Sequence, residues 1–72
     1  MYSIIDAKTG KVERTTADRD ACAKALGFIS KARAKKYGYS EIPFKQTFVF
    51  TDVARKDGSV TIAGQGLVIK YE

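Results

Sequence analysis

Lys24, Phe28, Lys31 and Lys35 carry the clearest chemical signal in the chain, because their spacing places them along one side of a helix. At about 100° per residue, the three lysines fall within about 40° of one another, and Phe28 lies about 40° from Lys24, at the margin of the ridge they form. Ammonium groups in such a row can neutralise successive phosphates of a nucleic acid or meet an acidic protein surface. A solvated face kept polar also shows lysines, but such faces usually mix both signs.

Between Ala21 and Ser40 the chain does not mix them. Lys24, Lys31, Arg33, Lys35 and Lys36 all lie between Ala21 and Ser40 with no acid among them, and the remainder of the chain carries eight residues of each sign. The whole formal charge of +5 therefore sits in one segment, and local density sets field strength.

Phe28 has two readings. An aromatic ring flanked by cations serves as a base-stacking platform or as the anchor of a protein interface. Alternatively, the chain from Tyr39 to Phe44 folds back and covers it, as small cores tend to recruit every Phe they have. The degree to which Phe28 is exposed decides between them. Lys35-Lys36-Tyr37-Gly38-Tyr39 interleaves bases with aromatics and makes Tyr39 a second stacking candidate, although helix-end chemistry already accounts for its lysines and glycine and is the favoured reading.

Other chemistries find little support. The chain has no His and one cysteine, Cys22, so neither a zinc site nor an internal disulfide is expected. Cys22 also falls on an apolar stripe with no base to activate it, which makes it a packing residue. Gly64-Gln65-Gly66 lacks the third glycine and following helix of a dinucleotide fingerprint. Asp18 and Asp20 suit a helix N-terminus better than a metal. No enzyme activity, no metal and no cofactor are expected.

The elements that position these residues follow from periodicity. Tyr2 to Ala7 and Val12 to Thr15 read as strands joined at Lys8-Thr9-Gly10-Lys11, with Ile4 and Val12 inward and Gly10 supplying the turn. Thr16 is the expected N-cap of a helix from Ala17 to Tyr37, whose stripe of Cys22, Ala25, Leu26, Ile29 and Ala32 faces a sheet. Gly38 closes it. Gln46 to Arg55 alternates as a strand, Asp57-Gly58 reads as a tight hairpin turn, and Val60 to Tyr71 is a fourth strand interrupted by a bulge or turn at Gly64 to Gly66. The fold expected is α+β: one ββαββ domain over residues 1–72, a four-stranded antiparallel sheet with one helix packed on one face.

Seventy-two residues allow one small core, burying only about 60% of the unfolded chain's surface. A lone thiol reads as intracellular, and the absence of an apolar h-region or long apolar run argues against a signal peptide and a membrane span, so the expected location is cytoplasmic. The function expected is a non-enzymatic basic module that contacts nucleic acid or a ribonucleoprotein through Lys24, Phe28, Lys31, Arg33, Lys35, Lys36 and Tyr39. The competing expectation is a small inhibitor or adaptor of the bacteriophage type, directed at a polymerase or CRISPR complex, that occupies an acidic host surface with the same helix.

Overall fold

The computed structural model describes residues Met1–Glu72. Two hairpins flank two helices in the order β1 (Tyr2–Asp6), β2 (Val12–Thr16), α1 (Arg19–Tyr37), α2 (Phe44–Asp57), β3 (Ser59–Ile62) and β4 (Leu67–Tyr71). The strands form one antiparallel sheet in the order β2-β1-β4-β3, so the first and last strands lie side by side at its centre. Their register pairs Tyr2 with Tyr71, Ile4 with Ile69 and Asp6 with Leu67.

Alternate residues of the central strands enter the core, as a pleated strand requires. Tyr2, Ile4, Ile62, Leu67 and Ile69 meet Cys22, Ala25 and Leu26 of α1 and Ala54 of α2 in one buried cluster. Helix α1 lies over β1 and β2, while α2 lies over β4 and β3. Arg19 clamps the two helices together, with Nε 2.6 Å from Asp52 Oδ1 and a second nitrogen 3.0 Å from Oδ2. That fork-to-carboxylate geometry holds the Asp52 carboxyl below the usual carboxylate range.

The α+β class and the four-stranded antiparallel sheet are as expected, but the layout is ββααββ rather than ββαββ. The expected strand from Gln46 to Arg55 is helix. Its alternation of Phe and Val with Thr is compatible with a strand, yet Thr47, Thr51 and Ala54 also recur at helical steps and form the buried face of α2. Each threonine satisfies its hydroxyl within the helix, Thr47 Oγ1 donating to the Phe44 carbonyl at 2.6 Å and Thr51 Oγ1 to that of Thr47 at 2.8 Å. Burying them therefore leaves neither hydroxyl unpaired.

The glycine at the expected second hairpin turn ends this helix instead. Gly58 adopts φ 89° and donates its N–H to the Ala54 carbonyl at 2.8 Å, closing α2 as a C-terminal cap. The hairpin lies further on. Ala63–Gln65 forms a single 3₁₀ turn, Gly66 at φ 62° completes it, and β3 and β4 separate there, so Gly64 to Gly66 is a turn.

Three smaller expectations also change. Asp18, not Thr16, caps α1, its carboxylate accepting the Asp20 N–H at 2.6 Å and the Ala21 N–H at 3.3 Å. Ala32, expected on the buried stripe, is exposed, and Arg33 takes the buried position beside it. Val12 points outward and is 52% exposed, because a bulge between Ile4 and Ile5 shifts the pairing of β1 with β2 and sets Val12 opposite Ile5 on the uncovered face. Ile4 and the Gly10 turn, at φ 77°, are as expected, as is Gly38 closing α1 at φ 74°.

Candidate nucleic-acid interface

Helix α1 turns Cys22, Ala25 and Leu26 into the core, and this fixes the opposite face outward. Lys24, Lys31, Lys35 and Lys36 are exposed, and Phe28 is 73% exposed. From Lys24 to Lys31 the helix rises about 10 Å, and Phe28 stands between them.

The connection from Gly38 to α2 does fold back on α1, but it does not cover Phe28. Ile42 donates its N–H to the buried Ser30 hydroxyl at 2.9 Å, and the buried Gln65 amide donates to the Ser40 carbonyl. These ties hold Glu41, Ile42 and Phe44 opposite Lys24, Gly27, Phe28 and Lys31 across an open groove of about 360 Å³. Phe44, at the first turn of α2, is itself 65% exposed and meets Phe48 edge-on with ring centres 5.1 Å apart.

The structure therefore brings Lys24, Phe28 and Lys31 to one site and adds Gly27, Glu41, Ile42 and Phe44, which sequence reasoning missed. Pro43 before Phe44 is a signal of a helix start, since a helix tolerates proline only near its first turn. The strand-like alternation that follows masks it. That Phe44 and Phe28 share a groove depends on a hydrogen bond between Ser30 and Ile42, which no local pattern encodes.

Arg33 does not belong to this site. Its side chain turns inward, the residue is only 8% exposed, and all three guanidinium nitrogens are engaged. Nε donates to the Gln65 carbonyl at 2.9 Å, one terminal nitrogen to Asp6 Oδ2 at 3.1 Å and the other to the Gly66 carbonyl at 3.4 Å. Two residues beyond Lys31, Arg33 points about 160° away from it around the helix, so a basic residue in an acid-free segment need not share the basic face.

Tyr39 is drawn into the same arrangement. Arg33 sits 5.3 Å from the Tyr37 ring centre and 5.6 Å from that of Tyr39, and the two rings lie 5.3 Å apart. Both tyrosines thus serve a cation–π stack at the end of α1, where Lys35 and Lys36 also face the negative end of the helix dipole.

The remaining reactive side chains are accounted for by packing. Cys22 is fully buried, and burial pushes its thiol up. No three Cys, Asp or Glu side chains gather in a way that could hold a metal ion. No helix is long and apolar enough to cross a membrane. Comparison with protein-family models, with curated proteins and with solved structures finds no match to this chain.

Proposed function

We propose that this chain is a non-enzymatic binding module that takes single-stranded nucleic acid along the basic ridge of α1. The observation that carries the reading is Phe28, 73% exposed between Lys24 and Lys31 in a stretch of α1 that carries no acid after Asp20 in its first turn. Exposing an aromatic ring forgoes about 1.5–3 kcal/mol of burial, a cost that a binding role explains. A ring for stacking beside ammonium groups for phosphates is the pairing that sequence-tolerant single-strand binders use.

The test is fluorescence anisotropy with a labelled single-stranded oligonucleotide at rising salt. Binding should weaken linearly on a log–log scale, and Lys24→Glu with Lys31→Glu should weaken it further while making the slope shallower by about 1.4, or about 0.7 for each phosphate deprived of its ammonium partner. Failure to bind at low salt would end this reading.

Exposure of Phe44 as well as Phe28 favours one competitor, a small inhibitor or adaptor that seats an apolar anchor of an acidic protein partner in the groove. In that case Phe28→Ala abolishes capture of the protein partner, and nucleic acid does not compete for the groove.

A further inference from the structure

We infer that the groove between Phe28 and Phe44 holds a single unstacked base, with the flanking phosphates on Lys24 and Lys31 and the amino edge of the base turned to Glu41. This rests on the nucleic-acid reading above and goes beyond it by naming what the groove takes and which residue selects it.

The charge layout argues the orientation. The α1 wall carries two ammonium groups and the opposite wall one carboxylate, with Ile42 and the two phenylalanines lining the space between. A phosphate is attracted to the first wall and repelled by the second, so a strand crossing the groove keeps its backbone on the lysine side. The base then points across, where its faces meet aromatic rings and its edge meets a pure hydrogen-bond acceptor. Cytosine, adenine and guanine offer amino donors to that acceptor, whereas thymine offers one N–H flanked by two carbonyls that the carboxylate repels.

Gly27 is the second argument. A glycine inside a helix costs about 1 kcal/mol relative to alanine, and packing usually explains why one is kept. Here a Cβ would meet nothing within 4 Å, so no neighbour demands the glycine. Gly27 lines the groove, and its missing side chain widens the space a ligand would fill. The volume of about 360 Å³ lies within the range of small-molecule sites, about 300–1,000 Å³, and is ample for one base. The site is also preformed, because the Ser30–Ile42 and Gln65–Ser40 hydrogen bonds fix its far wall without a ligand.

The experiment compares binding of labelled oligodeoxycytidylate, oligothymidylate and a mixed-sequence duplex at low salt, with melting curves for every variant. Oligodeoxycytidylate should bind at least about fivefold more tightly than oligothymidylate, and Glu41→Gln should remove that preference. Phe44→Ala should weaken binding about tenfold. Gly27→Leu should block the groove while leaving the melting temperature unchanged or raised, so that a failure to bind cannot be ascribed to a failure to fold. If the duplex binds as well as the single strand, or if Phe44→Ala and Gly27→Leu leave affinity unchanged, the base-in-groove assignment falls and the lysine ridge stands. Equal affinity for the two homopolymers overturns the role given to Glu41. If none of the three probes binds, both readings fall together, and binding of an acidic peptide with an aromatic anchor in their place would assign the groove to protein.

Discussion

Arg33 on α1 and Asp6 at the end of β1 form an ion pair, 3.1 Å between nitrogen and oxygen, with side chains only 10% and 13% exposed. The pair joins the C-terminal half of the long helix to the first hairpin, and the other guanidinium nitrogens reach the carbonyls of Gln65 and Gly66 at the second. One side chain thus ties together α1 and both turns at that end of the sheet.

Removing it should be costly. Arg33→Ala takes the donor from the buried Gln65 carbonyl and one bond each from Asp6, which keeps the Lys8 and Thr9 N–H groups, and from the Gly66 carbonyl, which keeps that of Ala7. Urea denaturation should show a loss of about 1–3 kcal/mol, the cost of a buried acceptor left unpaired. Arg33→Lys should recover only part of it, because an ammonium group cannot reproduce the planar fork that meets three acceptors.

Acid should weaken the same joint. The Asp6 carboxyl is held below its ordinary value of 3.8, first by the Thr9 N–H, then by Arg33 and the Lys8 N–H. Its folded value lies below its unfolded value, so the stabilisation is fully present above about pH 4 and is lost as pH falls through the folded value. Asp52, lowered chiefly by its hydrogen bond from Arg19, acts in the same direction. Melting temperature measured against pH should drop below about pH 4, and Asp6→Asn should lower it at neutral pH while flattening the drop.

Gly58 reports on the second helix. Gly58→Ala introduces a Cβ that touches nothing within 4 Å, so its cost is purely that of holding alanine at φ 89°. Chemical denaturation should show a loss of about 1 kcal/mol.

Cys22 should be silent to thiol reagents in the folded protein, being fully buried with its thiol pushed up by burial. Labelling by a disulfide reagent should accelerate with urea in parallel with loss of helix measured by circular dichroism. Rapid labelling without denaturant would contradict a core built around Cys22.

Phe28 should separate binding from folding. At 73% exposed it contributes little to the core, so Phe28→Ala should change stability by no more than about 0.5 kcal/mol. Affinity for a single-stranded oligonucleotide should fall about tenfold in the same variant.

Much of α1 is legible in the residues alone. Its apolar stripe repeats over several turns, acids precede it, lysines close it and Gly38 follows, and all of these are local features of a 19-residue helix. The lysine ridge follows from the same periodicity, since naming the buried face names the exposed one. The β1–β2 hairpin is legible for a similar reason, with Gly10 marking its turn.

Residues 44–57 are not legible in this way, because Phe, Val and Thr alternate there while Thr47, Thr51 and Ala54 also share a helical face. What decides between them is distant: β1 and β4 pair across the whole length of the chain, β3 joins them, and the half of the sheet formed by β4 and β3 needs a cover that a helix supplies. The same long-range packing turns Arg33 inward to Asp6, rotates Val12 outward through a bulge, and sets Phe44 across from Phe28. Local periodicity determined which side of α1 faces out and what charge it carries; only the tertiary contacts decided that this side borders a groove, because its second wall comes from a segment whose position depends on hydrogen bonds to Ser30 and Gln65.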